Sequence, residues 1–216
     1  MTGMISKNWT RIGAWSLAQF PALVAGLHGG ISPQELERDF ADIPAACSQQ
    51  MADFYQIADG QRDGSVGIFF GMTFMPMAQV RKDVQMWEQI AAEETELGEA
   101  EGGDYSSVPE GAVVARYYNP GWIPFAHDYG GNYLAVDCAP GPHGSVGQII
   151  NFGRDEYIHR VLAPDLASFL DWTATQLEAG NFRVIEHPEA PEYPYEFLLK
   201  EPENQHFLDA IKEPGF

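Results

Sequence analysis

Apolar residues in the first half of the chain recur three to four positions apart, which is the spacing of one face of a helix. Pro21 interrupts the first of these stripes, and Gly29 and Gly30 end it. Ser32 followed by Glu35 has the pattern of a capping box at the start of the next helix. We therefore predict helices over residues 8–28, 32–42, 44–58 and 77–94, with one short strand, Val66–Phe70, before the last of them.

The second half of the chain is richer in β-branched and aromatic residues, arranged in short runs that proline, glycine, asparagine and aspartate separate. Because these turns are too short to hold crossover helices, neighbouring strands should be antiparallel. Asp165 then begins a helix that ends at Gly180, and from His187 onward we expect an extended tail with one short helix. The predicted strands are Ala112–Tyr118, Ile123–Ala126, Tyr133–Cys138, Val146–Phe152, Tyr157–Leu162 and Phe182–Glu186.

The chain is strongly acidic: its 216 residues include 12 Lys and Arg and 31 Asp and Glu, a formal charge of −19. Binding to nucleic acid or to an anionic membrane requires cations that neutralise phosphate, and no basic face is evident here. A basic protein partner is favoured instead, because complementary charge speeds encounter. The first residues lack the pattern of a signal peptide, and no apolar run is long enough to span a membrane, so we expect a cytoplasmic location.

The two cysteines, Cys47 and Cys138, are too few for a disulfide framework and lie in apolar surroundings, so we expect buried thiols. Nucleophilic catalysis by Cys138 is disfavoured, because a reactive thiolate needs a nearby cation and the preceding residue is Asp137. The chain has no Gly-x-Ser-x-Gly elbow, and the glycines between Gly60 and Gly67 lack the lysine of a phosphate-binding loop.

Four residues close in sequence are candidate metal ligands: His127, Asp128, Asp137 and His143. A metal site needs three or four such side chains converging on one point, and their spacing matches no helix-borne motif. The same residue types are ordinary turn formers, which is the role we expect. His159 belongs to a predicted strand, where we expect it to be half-exposed.

The segment from Trp122 to Gln148 has the most distinctive pattern of the chain. Its glycines permit conformations that other residues avoid, and Asp128 and Asn132 suit hydrogen bonds to turn amides. Asp137 closes a strand and can bond into the following loop, while Pro124 suits an edge strand. We expect structural roles for Trp122, Pro124, Asp128, Gly130, Gly131, Asn132, Asp137, Gly141, Gly144 and Gly147.

This segment resembles the Smi/Knr cell-wall-regulator family of the SUKH superfamily. The resemblance lies in the Trp-x-Pro that begins at Trp122, the Asp-x-Gly-Gly-Asn that begins at Asp128, the closing Asp137, and the Pro-Gly-x-x-Gly-x-Val-Gly-Gln loop that ends at Gln148. A preceding helix that ends in Asp-Gly and a following strand and helix extend the resemblance to roughly residues 31–182.

The resemblance implies an α+β fold with helices packed on one twisted, largely antiparallel sheet, and a non-enzymatic role. It divides the chain into an N-terminal helical extension, residues 1–30, a SUKH-like domain, residues 31–182, and a Pro/Glu-rich tail, residues 183–216. Bacterial members are similar to immunity proteins that neutralise a toxin, and fungal members to regulators of wall synthesis. The chain departs from the family pattern at Tyr129, where a third glycine is common.

Two acidic stretches are the candidate partner-binding surfaces. The first, Glu93–Asp104, is expected to be a mobile linker, and the second lies in the tail, where aromatic residues alternate with glutamates. Such a mixture suits protein interfaces, where aromatic side chains anchor and charges set register. The expected partner-binding residues are Glu93, Glu94, Glu96, Glu99, Glu101, Asp104, Tyr193, Tyr195 and Glu196.

These observations favour a protein-binding protein that is not an enzyme and uses no cofactor or metal. The first hypothesis is an immunity protein that occludes a cognate secreted toxin, a basic effector, through shape and charge. One alternative is a regulator or scaffold of cell-wall synthesis with an endogenous partner. The other is a small metal-dependent hydrolase that uses His127, Asp128 and His143. The oligomeric state stays open.

Overall fold

The computed structural model describes residues 2–39, 45–97, 105–201 and 205–213, and it confirms an α+β fold with helices packed on a sheet. The helices are α1 (Thr2–Gln19), α2 (Ala22–Ala25), α3 (Pro33–Asp39), α4 (Ala45–Tyr55), α5 (Met77–Leu97), α6 (Leu166–Glu178) and α7 (Phe207–Ala210). The strands are β1 (Leu27–Gly29), β2 (Ala58–Gln61), β3 (Thr73–Phe74), β4 (Ser106–Val108), β5 (Trp122–His127), β6 (Asn132–Asp137), β7 (Gln148–Gly153), β8 (Ile158–Ala163), β9 (Arg183–Glu186) and β10 (Tyr195–Leu198).

The main sheet has six strands in the order β3-β5-β6-β7-β8-β4. The pairs from β3 to β8 are antiparallel, as the short turns predicted, and β4 alone pairs parallel to its neighbour β8. Every residue of β5, β6 and β7 is buried. Both faces of these central strands are therefore covered by other elements.

Aromatic side chains attach the helices to the sheet. Trp87 of α5 packs on Phe152 of β7, with ring centroids 5.6 Å apart. Phe169 of α6 packs on Phe125 of β5 at 5.7 Å. These rings bury large apolar areas and favour edge-to-face geometry, so they fix the position of each helix on the strands.

The two ends of the described chain join the same core. Trp9 of α1 packs edge-on against Phe54 of α4, with centroids 5.0 Å apart. Arg11 on the same helix donates to Glu178 of α6 at 2.9 Å and is paired with Asp171. Near the C-terminus, Phe197 of the β9–β10 hairpin packs into the same core and is 1% exposed.

Several local predictions are confirmed. Pro21 separates α1 from α2, and Ser32 and Glu35 form the capping box, since the Ser32 amide donates to Glu35 at 2.9 Å and the Glu35 amide donates back at 3.3 Å. Asp165 caps α6 by accepting from the Ser168 amide at 2.7 Å. The strands that were predicted from Ile123 to Leu162 appear as β5 to β8.

Two predicted strands are wrong. Val66–Phe70 is a loop that closes at Phe70 and Gly71, whose φ angles are 51° and 101°. Ala112–Tyr118 also forms no strand, because carbonyls at its start bond the loop after β6 instead of a neighbouring strand. The Ala112 carbonyl accepts from the Gly141 amide at 3.1 Å and from the Gln148 side chain at 2.9 Å.

The tail and the cysteines also differ from expectation. The tail does not run extended around the domain, because Tyr195–Leu198 pairs with β9 as a hairpin and α7 follows it. Cys47 and Cys138 are joined in a disulfide that links α4 to the end of β6, so the prediction of free buried thiols is wrong. The two cysteines are 91 residues apart in sequence, a separation at which no sequence pattern indicates pairing. Most of the predicted linker lies outside the described residues.

His159 is fully buried rather than half-exposed. Its Nε2 lies 2.8 Å from the Arg116 carbonyl oxygen, and its ring stacks with Tyr105 and meets the edge of Trp122. Burial lowers the pKa of His159 below its ordinary value of 6.5. Within the described residues, no helix is both long and apolar enough to cross a membrane.

The disulfide predicts the outcome of an alkylation experiment. Protein purified without reductant and unfolded in iodoacetamide should take up no label, because both sulfurs are bonded to each other. The same protein reduced before labelling should take up two. Labelling of both cysteines without reduction, measured by intact mass, would contradict the pairing.

The buried His159 predicts a pH dependence of stability. As pH falls below 6.5, the unfolded chain binds a proton that the folded His159 rejects, so this residue makes stability fall with pH. We expect His159→Gln to show a smaller drop in melting temperature than the wild type between pH 7 and pH 5. His28→Gln, which removes an exposed histidine, is the matched control. An equal drop in melting temperature for all three proteins would contradict this assignment.

Candidate protein-binding site

The turn between β5 and β6 is organised by one carboxylate. Asp128 Oδ1 accepts from the amides of Gly130 at 2.6 Å and Asn132 at 3.0 Å, and Oδ2 accepts from the Asn132 side chain at 2.8 Å. Tyr129 and Gly131 have left-handed φ angles of 61° and 96°, while Gly130 does not. The turn therefore holds a tyrosine in a conformation that costs most non-glycine residues about 1–2 kcal/mol.

Tyr129 is held in that conformation by two neighbours and is 52% exposed. Its hydroxyl accepts from the Gly64 amide at 3.3 Å, and its ring centroid lies 4.2 Å from that of His127. Backbone strain at an exposed aromatic residue is more typical of functional positions than of packing positions. This makes Tyr129 the first residue of the candidate site.

A second carboxylate fixes the loop after β6. Asp137 is fully buried, accepts from the Ala139 amide at 3.0 Å and accepts from the Gln148 side chain at 2.9 Å. Burial raises the pKa of Asp137. Within the loop, a Cβ on Gly144 would lie only 2.0 Å from the Ala112 carbonyl oxygen, so no larger residue fits there. These residues shape the scaffold and do not line the groove described next.

A groove of about 560 Å³ opens beside Tyr129. Its walls come from three parts of the chain: the loop between β2 and β3, the β5–β6 turn, and the C-terminal hairpin with α7. The lining includes three carboxylates and no lysine or arginine among the described residues. It comprises Gly64, Ser65, Val66, Gly67, Gly71, Thr73, Asp128, Tyr129, Tyr193, Pro194, Tyr195, Glu196, Phe197, Leu198, Gln205, His206 and Asp209.

Close packing joins the walls of this groove. The rings of Phe70 and Phe197 stack with centroids 5.3 Å apart, and the Phe207 amide donates to the Phe70 carbonyl at 3.0 Å. A Cβ on Gly71 would lie 2.1 Å from the His206 ring, so glycine is required for this approach. The groove is therefore a preformed feature of the fold.

Buried polar groups lie behind the turn. Asp83 accepts from the Tyr133 hydroxyl at 3.2 Å and from the Gln79 side chain at 2.5 Å. Burial raises the pKa of Asp83, and burial lowers the pKa of His127, which is 9% exposed. These groups are hydrogen-bonded to each other or packed under Tyr129, and only the tyrosine and Asp128 reach the groove.

The structure brings three of the nine expected partner-binding residues together in the groove: Tyr193, Tyr195 and Glu196. Tyr193 is 64% exposed. Glu93 is exposed on α5 and does not line the groove. The side chains of Glu94 and Glu96, and all of Glu99, Glu101 and Asp104, lie outside the described residues.

The candidate metal ligands do not converge. Asp128 and Asp137 bond different turns, and His143 Nδ1 lies 3.1 Å from the Glu110 carbonyl oxygen. In the parts of the chain that the structure describes, no three His, Cys, Asp or Glu side chains form a group that could hold a metal ion. The hydrolase alternative therefore has no metal site in this region.

The remaining lining residues were not predicted from the sequence to form a site. The loop of Gly64–Thr73 was assigned in part to a strand, and His206 and Asp209 were assigned to a short helix without a role. These segments are distant in sequence and meet only in the fold. The one local signal was Tyr129, which stood where the family pattern favours glycine.

Asp137 predicts the cost of breaking the scaffold. Asp137→Ala leaves buried donors on Ala139 and Gln148 without this acceptor, which should cost about 1–3 kcal/mol in the free energy of unfolding. Urea denaturation measures this change. The matched variant Asp63→Ala removes an exposed carboxylate and should change the free energy by less than about 0.5 kcal/mol. Equal effects of the two variants would contradict the role given to Asp137.

Comparison with known proteins places the chain among fungal relatives. The cell wall biosynthesis/cell cycle regulator smi1 of Schizosaccharomyces pombe is 34% identical over 190 residues, which is 84% of this chain and 38% of the relative. The cell wall assembly regulator SMI1 of Saccharomyces cerevisiae is 30% identical over 82% of this chain and 41% of the relative. The glucan synthesis regulatory protein of Neurospora crassa is 29% identical over 84% of this chain and 40% of the relative.

The chain therefore spans about two fifths of the length of these curated relatives. The names of these three proteins describe regulators. A family model described as the SMI1 / KNR4 family (SUKH-1) matches residues 31–172. This range includes β5 to β8, the turn at Asp128 and the loop at Asp137. Because this match covers more than half of the chain, the chain belongs to the SMI1/KNR4 family, as the Trp122–Gln148 segment predicted.

Proposed function

We propose that this chain is the protein-binding part of a regulator of cell-wall synthesis, and that its partner docks in the groove beside Tyr129. The cell-wall role was the first alternative of the sequence analysis. Relatives described as cell-wall regulators favour it over toxin immunity, which these comparisons do not support. The action we propose is binding without catalysis, in agreement with relatives whose names describe regulation.

One observation carries the proposal: a strained, exposed tyrosine stands at a preformed groove. Tyr129 and Tyr193 are 52% and 64% exposed, and both line the groove together with Asp128, Glu196 and Asp209. Tyrosine supplies large contact area with little loss of conformational entropy, which is why it is enriched at binding hot spots. A cavity with aromatic walls and carboxylates fits a protein partner that presents basic side chains.

The charge of the chain supports the same kind of partner. With a formal charge of −19, the chain repels acidic proteins and attracts basic ones over several ångströms of solvent. The basic character expected of a toxin effector is thus retained as a property of the proposed partner, and the toxin itself is not. The cytoplasmic location expected from the sequence stays a prediction.

A chimeric regulator tests this function. The matched region of the S. cerevisiae relative is replaced by this chain in cells that lack the relative, and growth is measured on a wall-binding dye. We expect the chimera to restore growth and a chimera with Tyr129→Gly to fail. In the isolated chain, this substitution should change stability by less than about 1 kcal/mol, because relief of the strain at φ 61° offsets the lost contacts with Gly64 and His127 and the entropic cost of glycine.

The control is Tyr157→Ala. Tyr157 is 57% exposed, immediately precedes β8 and does not line the groove. This chimera should restore growth as the wild type does. Failure of the wild-type chimera would contradict the cell-wall role, and full restoration by Tyr129→Gly would contradict the groove as the docking site.

A further inference from the structure

The outer edge of β10 carries main-chain groups that have no partner in the described part of the chain. The His187 amide donates to the Pro194 carbonyl at 2.9 Å, which fixes the side of the strand that faces β9. Main-chain groups of successive strand residues point to opposite edges. Glu196 therefore faces β9, while the N–H and C=O groups of Tyr195 and Phe197 face away from it.

The chain itself pairs with this outer edge at one end. The Leu199 amide donates to the Gln205 carbonyl at 3.0 Å, and the two residues form an isolated antiparallel bridge. Leu199 is two residues after Phe197 and four after Tyr195, so its main-chain groups point to the same edge as theirs. This bond confirms independently that the edge faces away from β9. After Gln205 the chain turns into α7 and leaves the edge.

The unpaired edge runs along the groove. All six consecutive residues from Tyr193 to Leu198 line it. If one face of the hairpin formed the wall, only alternate residues would line it, because side chains of a strand alternate between faces. The edge of the strand therefore forms this part of the wall. The Gly64–Gly67 loop belongs to the same lining, and its two glycines carry no side chain into the space.

The charge of the groove selects what can pair there. Asp128, Glu196 and Asp209 line it, and within the described residues no lysine or arginine does. Two exposed tyrosine rings, those of Tyr129 and Tyr193, stand in the same lining. Guanidinium groups bind both carboxylates and aromatic faces, so basic side chains complement this surface.

We infer that the partner docks by adding an extended, basic segment to the outer edge of β10. The inference rests on the proposed function and specifies how that site binds. Main-chain hydrogen bonds to Tyr195, which is partly exposed while Phe197 is 1% exposed, supply affinity, and the carboxylates select for arginine and lysine. β10 has four residues, about 13 Å at roughly 3.3 Å per residue, so a segment of about seven residues spans it with one or two to spare at each end.

A synthetic peptide tests the mode of binding. The probe alternates threonine and arginine over seven residues, carries a fluorophore, and is titrated with the full chain. We expect saturable binding, and none by the same peptide with glutamate in place of arginine. In amide hydrogen exchange, the peptide should slow the Tyr195 amide at least about tenfold, since strand pairing covers that group. No binding up to about 1 mM peptide, or binding without protection of Tyr195, would overturn the inference.

The chain offers a matched pair of charge variants. Glu196 and Glu189 both lie near His187, at 3.5 and 3.4 Å, but only Glu196 lines the groove. Glu196→Lys should weaken binding of the arginine peptide about fivefold or more, and Glu189→Lys should change it less than about twofold. Equal losses in the two variants would show that net charge alone attracts the peptide and would overturn docking at β10.

The outcomes separate this inference from the proposed function. If Tyr129→Gly abolishes restoration of growth but the peptide leaves the Tyr195 amide unprotected, the groove is the docking site and strand addition is wrong. If the peptide protects Tyr195 but Tyr129→Gly restores growth, strand addition holds and the groove is not what the regulator uses. A chain that sediments as a dimer and does not bind the peptide would assign the edge to a second copy.

Discussion

The constraint on which the structure depends is the burial of both faces of β5, β6 and β7. Every residue of these strands is buried, so helices or loops must cover each side of the sheet. Helix α5 supplies Trp87 to cover Phe152, and α6 supplies Phe169 to cover Phe125. Helix α1 then packs on α6, and the C-terminal hairpin completes the same core. Helix α1 and the C-terminal hairpin thus share one core with the sheet.

The groove is a consequence of how that covering is completed. The C-terminal segment returns to the loop before β3, where Phe197 stacks on Phe70 and the Phe207 amide bonds the Phe70 carbonyl. Within the described residues, the outer edge of β10 has no strand partner, and the bridge to Gln205 lies just beyond its C-terminal end. Exposed strand edges favour pairing with another chain, and proteins commonly blunt them with charge. Here three carboxylates line the groove beside the edge, so pairing with acidic segments is disfavoured and pairing with basic segments is favoured.

Much of the fold was predictable because it follows from local rules. The capping box at Ser32 and the break at Pro21 each depend on residues within a few positions of one another. The same is true of β5 to β8, which are short apolar runs separated by turn residues. The errors at Val66–Phe70 and Ala112–Tyr118 have one cause. Both segments are apolar enough to form strands, but their backbone groups have other partners. The Gln61 side chain bonds Val66 and Ile68, and the Gly141 amide bonds the Ala112 carbonyl, so these contacts override propensity.

The site was predictable only in part, for a similar reason. The mixture of aromatic and acidic residues in the tail indicated a binding surface. Three of the nine expected residues, Tyr193, Tyr195 and Glu196, do meet in one groove. The Gly64–Gly67 part of the lining was not predicted, since its two glycines carry no side chain that could indicate a binding role. The pairing of Cys47 with Cys138 is equally invisible from sequence, because two cysteines without a framework pattern give no geometric information.

The position of the groove relative to the family match has a consequence for specificity. The family model covers residues 31–172, which include Tyr129 and the Gly64–Gly67 loop but neither β10 nor α7. The family scaffold therefore supplies two of the three parts of the groove wall, and the C-terminal segment supplies the edge strand and two of the three carboxylates. Under the proposed docking mode, exposed residues of that segment such as Tyr193 and Glu196 set the choice of partner, while its buried Phe197 and Phe207 belong to the core.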